Sequence, residues 1–333
     1  MNISPQSDRV HSDLPSGDPA LLNRISWARR WSDRDASVDY ALAARKKALD
    51  GKGRRSRAEQ GFALRTLGWH ALWRGDLTLA MEYCLRAETY LPESSFVQAR
   101  AGIYSLLGKV HYMRNRFDLA ICSVDRGLWL VREDDEDSLA LADLMLTQAA
   151  IQRQSGERAR AGITLGRARE LSSGEHTVLV EMCTSNLLLE DGDARRAQEH
   201  GDLAVKSAED LGAVVLVPFA RSIAAGCAIA LGSHIDAHEH IQKGLDQLTD
   251  ADTMARCMLL RRRASLLRVK GELENSIKVL RDVAEIAMDR KYGLILKKVA
   301  LAMADSLEEM DDFKGAVEQH KIAWRLQNET RIR

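Results

Sequence analysis

The chain has 333 residues, and its 48 basic and 48 acidic side chains leave no formal net charge at neutral pH. That balance excludes bulk attraction to nucleic acid or anionic lipid as the basis of function. Apolar residues make up 45% of the chain, enough for a substantial core, and only five prolines suit an all-helical protein.

Residues 1–17 are polar, hold two of the five prolines, and carry no apolar stretch of the kind a secretory signal needs. They are expected to be disordered. Asp18 is placed to cap a helix from Pro19 to Trp31, and a turn at Ser32 to Asp35 leads into a second helix from Ala36 to about Leu49. This pair, 18–55, is expected to be a degenerate cap. From Arg45 to Arg57 there are seven bases and one acid. Without interleaved aromatics, this stretch is read as a basic helix end and solvated loop, and a nucleic-acid contact is disfavoured.

From residue 56 onward one pattern recurs, seen first in Leu67 to Pro92. A turn residue is followed by small residues five and twelve positions on and preceded by another seven positions back. The turn residues are Gly75, Asn115, Gly156, Gly192, Gly232, Gly271 and Asp311, spaced 36 to 41 apart. Twenty of the 21 flanking positions are Gly, Ala or Ser, and Val283 is the exception. Small residues let two helices cross closely, and a left-handed turn residue ends the first helix. Seven helix pairs are therefore predicted at 56–91, 95–132, 137–172, 175–211, 213–249, 251–290 and 292–331. Pro218 should kink the fifth pair's first helix or delay its start. The acidic run 133–137 is read as a solvated loop. The last helix, from Phe313, ends without a stop signal and reads as able to continue.

Leu67-Gly68, Trp69, Ala80, Ala87 and Pro92 resemble the tetratricopeptide repeat pattern, though later copies lose most aromatics and the period exceeds the usual ~34. The resemblance implies an all-α, right-handed α-solenoid of antiparallel helix pairs, of the long-repeat type found in bacterial regulatory and sensory proteins. It also implies a concave groove lined by the first helix of each pair. The side chains carried onto that groove include Phe62, Arg65, Trp69 and Trp73 in the first copy, then Lys109 and Tyr112 in the second. Arg153, Asn186, Arg261 and Arg268 follow in later copies. Either tryptophan could equally belong to the core. Arg65, Lys109 and Arg153 beside aromatics suit a peptide or protein partner with acidic or carboxylate groups. The carboxylate clamp of chaperone-binding members is not reproduced.

No P-loop, GxSxG, HExxH, EF-hand or Rossmann fingerprint occurs, and no catalytic constellation is found. His234, His238 and His240 cluster at a helix start, where solvation is a simpler reading than metal binding. No cofactor or metal is expected. Five dispersed cysteines without a CxxC pair point to a reducing, cytoplasmic setting. No apolar run could span a membrane. The expected function is a non-enzymatic scaffold or sensor, with a homodimer left open. The alternative is a sensory module controlling a nucleotide cyclase (of the diguanylate cyclase type) or kinase output domain.

Overall fold

The computed structural model describes residues 17–92, 95–131 and 138–328. Among them are sixteen α-helices, which pair in antiparallel fashion along the chain. The first two are α1 (Pro19–Arg29) and α2 (Arg34–Asp50). Then come α3 (Arg54–Arg74) with α4 (Leu77–Tyr90), α5 (Val97–Met113) with α6 (Phe117–Leu130), and α7 (Ser138–Gln154) with α8 (Arg158–Leu171). The later pairs are α9 (Glu175–Glu190) and α10 (Ala194–Asp210), α11 (Val217–Ala230) and α12 (His234–Asp246), α13 (Thr253–Val269) and α14 (Leu273–Asp289). The last pair is α15 (Gly293–Glu309) and α16 (Phe313–Asn328). The fold is the right-handed tetratricopeptide-type solenoid.

The repeat register expected from spacing is the one observed. Ala80, Ala87, Ala120, Ala161, Ala197 and Ala237 are all completely buried where neighbouring helices cross. Every turn residue of the seven copies has positive φ, from Asn115 and Asp311 near 60° to Gly75 at 100°. Pro218 sits in the first turn of α11, which starts at Val217, so the proline delays the helix without kinking it.

Two details of helix capping differ from expectation. Asp18 makes no side-chain cap to α1, because its carboxylate pairs with Arg55 at 3.1 Å. Ala36, read as helix start, lies inside α2, and Asp33 caps that helix by accepting the Ala36 amide at 3.1 Å. Of the five cysteines, Cys84, Cys227 and Cys257 are buried, Cys183 is half-buried and Cys122 is exposed. The acidic run 133–137, the C-terminal 329–333 and most of the N-terminal segment lie outside the described residues.

The solenoid coils tightly enough for its later repeats to meet its first ones. Tyr292, fully buried, donates its hydroxyl to the Gly75 carbonyl at 2.7 Å, 217 residues away. Thr253 Oγ1 lies 2.7 Å from the same hydroxyl and reaches the Arg74 carbonyl at 3.1 Å. One turn further on, Asn115 donates to the Leu326 carbonyl at 2.6 Å. Arg34 pairs with Asp252, and the Val215 amide donates to the Trp31 carbonyl at 3.3 Å. Gly75 is doubly constrained: its φ of +100° is left-handed, and a Cβ there would sit 1.7 Å from the Tyr292 hydroxyl.

Removing the Tyr292 hydroxyl deletes a buried hydrogen bond, leaving the Gly75 carbonyl with the Leu77 amide at 3.0 Å and Thr253 one partner short. Tyr292→Phe should therefore lower stability by about 0.5–1.5 kcal/mol in urea unfolding. Gly75→Ala, which blocks the same contact sterically, should cost at least as much; wild-type midpoints for both would mean that the two ends of the coil do not meet.

Candidate functional site: a cation-rich concave channel

Because the coil closes, the concave groove becomes a channel. A cavity of about 440 Å³ lies at its centre, and every lining residue comes from the first helix of one of the seven pairs. That volume falls within the ordinary range for small-ligand pockets. Half of the lining residues are aliphatic or methionine, including Leu146, Met182, Met258 and Leu294, with Trp73, Tyr112 and Phe219 as the aromatics.

The groove residues expected from the repeat pattern divide into two groups. Trp73, Lys109, Tyr112, Arg153, Asn186 and Arg261 line the channel. Phe62, Arg65, Trp69 and Arg268 do not. Trp69 is 4% exposed and packs edge-on against Trp31, with ring centroids 4.5 Å apart. Phe62 packs edge-on against Phe96 at 5.4 Å. Arg65 lies over the Trp27 ring at 3.8 Å, so α1 takes up this cation before any ligand can. Arg268 pairs with Glu309 at 2.9 Å and Asp305 at 3.5 Å, away from the channel.

Two more of the expected cations, Lys109 and Arg153, are also answered by the protein. Lys109 pairs with Asp143, whose carboxyl also accepts from Ser105 at 2.7 Å. Burial opposes the Asp143 charge, but Lys109 and His176 outweigh it and hold this carboxyl below its ordinary value. Arg153 pairs with Glu190 and donates to the Tyr112 hydroxyl at 3.3 Å. Burial works against the Arg153 cation too, but Tyr112 and Glu190 prevail and raise its pKa. Of the acid-binding trio read from sequence, Lys109 and Arg153 are thus internally neutralised and Arg65 is stacked on Trp27.

Three other cations are not. Arg261 and Arg262 on α13 and Lys298 on α15 line the same channel, and none has a carboxylate partner among the described residues. Burial, followed by the neighbouring Arg262, pulls the Arg261 guanidinium down to about 9. Burial also lowers Arg262, and burial together with Arg261, Arg153 and Arg262 pushes Lys298 well below the usual lysine value. All three are half-buried, and an unpaired charge held there is costlier than one in open water, which makes this cluster a point of electrostatic strain. Lys298 was within reach of sequence reasoning, since it lies thirteen residues before Asp311, a groove position in the other copies.

The histidines expected to be a solvated helix start lie on α12, outside the channel. His238 is exposed, and His240 Nε2 is 3.8 Å from Asp202. No group of three or more His, Cys, Asp or Glu is placed to hold a metal among the described residues. In the basic stretch, Arg54 donates to Ser95 and Arg55 pairs with Asp18. No helix among the described residues is long and apolar enough to cross a membrane.

No family model and no curated protein matches this sequence. Solved structures do match the fold. A Rap protein complexed with Competence and Sporulation Factor superposes with a TM-score of 0.68 at 11% identity, covering 94% of this chain and 98% of that one. Aspartyl phosphate phosphatase F from Bacillus subtilis gives 0.59 at 12% identity over 95% and 85%. A human IFIT1 dimer with PPP-AAAA gives 0.56 at 15% identity over 93% and 73%. These likenesses establish the architecture: this is a tetratricopeptide-repeat-type superhelix.

The Lys298 charge has a pH signature. A cation whose folded pKa is depressed destabilises the fold fully below that value, and the penalty disappears as pH rises to the unfolded value near 10.5. Lys298→Met should therefore be more stable than wild type near neutrality, with the gap in melting temperature closing between pH 7 and pH 10.5. A gap that stays constant or widens with pH would show that Lys298 is not a strained cation.

Proposed function

We propose that the chain is a non-enzymatic receptor or scaffold that holds a short peptide, or an extended segment of a partner protein, inside the channel. The observation that supports this most is the channel itself. It is a half-open cavity within one coil of the solenoid, lined from all seven pairs, mostly apolar, and supplied with a few convergent polar groups. Asn186 contributes a side-chain amide midway along the wall, its Nδ2 donating to the Met182 carbonyl at 3.1 Å. That leaves its oxygen to accept from a peptide N–H. The Rap protein complexed with Competence and Sporulation Factor shares this architecture along nearly its full length, in keeping with a binding role. A cytoplasmic location and a part in signalling fit the same reading.

A second reading is favoured by α16, where Trp324 is 67% exposed and Val317 50% exposed. With Leu301 they border a surface cavity of about 470 Å³ at the last pair. In that reading the repeats sense a ligand and relay it to a cyclase or kinase output element stacked on this face.

Filling the channel separates binding inside it from binding elsewhere. Ala150 lines the wall, and Ala150→Trp would occupy the ligand's volume. Purified wild type should retain members of a random hexapeptide pool through gel filtration, detected by mass spectrometry. Ala150→Trp, still helical by circular dichroism, should retain at least about tenfold less, a loss near 1.4 kcal/mol. Equal retention by both proteins would place binding outside the channel.

A further inference from the structure

We propose that Arg261, Arg262 and Lys298 form an anion subsite within the channel that takes the carboxylates of a short acidic peptide, with the methionine-rich wall holding its apolar side chains. This rests on the channel being the binding site. It moves acid recognition from the N-terminal repeats to α13 and α15.

The charges are the first argument. Five cations line this space with one carboxylate, Glu190, which is committed to Arg153, while Lys109 pairs with Asp143 outside the lining. The surplus of three positive charges falls on the three side chains just named. A folded protein tolerates such a cluster when an anion completes it, because an isolated buried charge is otherwise paired or neutralised.

The placement of Arg262 is the second argument. Its Nε donates to the Ser222 carbonyl at 3.1 Å, which fixes the guanidinium across α11. The site it crosses is Gly226, where a Cβ would approach the guanidinium carbon to 2.5 Å. The missing side chain at Gly226 thus gives Arg262 its seat, and its terminal nitrogens have no protein acceptor among the described residues. A planar guanidinium with free nitrogens matches a carboxylate in two-point fashion, and the neighbouring Arg261 and Lys298 add charge for a second.

The remaining wall points to a peptide. Met113, Met182, Met254 and Met258 all line the channel, and flexible thioethers fill irregular space around aliphatic side chains of varied shape.

The test uses two synthetic hexapeptide pools: free acids rich in Asp and Glu, and amidated peptides lacking both. Wild type should retain the acidic pool about tenfold better than the neutral one. Arg261→Gln/Lys298→Met should hold the two pools equally, while Gly226→Ala, which displaces only Arg262, should lower the preference by a smaller factor. Helical circular dichroism identical to wild type shows that each variant is folded. Equal retention of both pools by wild type, or an acidic preference unchanged in the double variant, overturns the subsite while leaving the channel reading intact. No retention of either pool by wild type sinks both. Inorganic phosphate displacing the acidic pool far better than glutarate at equal concentration would assign the cluster to a phosphate-bearing ligand and overturn the peptide proposal.

Discussion

The buried hydroxyl of Tyr292 on the carbonyl of Gly75 is the contact on which the rest of the structure depends. A solenoid is ordinarily quasi-one-dimensional, each repeat touching only its neighbours. Here residues 217 positions apart meet, and Asn115 with Leu326 and Arg34 with Asp252 extend the seam. Left-handed Gly75 and the fully buried Tyr292 form a joint in which each needs the other. The joint also adds cooperativity, since early and late repeats can no longer fray independently.

Closure determines what the concave face can do. An open groove keeps its cations solvated and inexpensive. In a closed coil the same side chains lose water, so each must find a partner or remain strained. Trp27, Asp143 and Glu190 supply partners for Arg65, Lys109 and Arg153. Among the described residues no carboxylate pairs with Arg261, Arg262 or Lys298, and burial lowers the pKa of each. In the proposed reading an acidic ligand supplies the missing counter-charge there, which ties the fold's geometry to the kind of partner it suits.

Much of this was legible in the sequence because repeat packing is local. Small residues five and twelve positions past each turn mark where helices cross, and Gly, Asn or Asp at the turn marks a left-handed end. What lay out of reach were the long-range consequences. Periodicity says nothing about how tightly the coil winds, so the Tyr292–Gly75 contact left no pattern to read. The same blindness hid the fates of Trp69 and Arg65, because Trp31 and Trp27, which receive them, belong to the irregular first pair. Lys298 is a different case, because its spacing thirteen residues before Asp311 is that of a groove position.

Small-angle X-ray scattering of the purified chain tests the closed coil most directly. A chain of this length folded into a compact body has a radius of gyration of about 20 Å. The closed coil predicts a value near that figure, rising measurably in Gly75→Ala as the seam opens. A wild-type radius many ångströms larger, unchanged by the substitution, would mean an open solenoid with a solvated groove, and the channel and its strained cations would go with it.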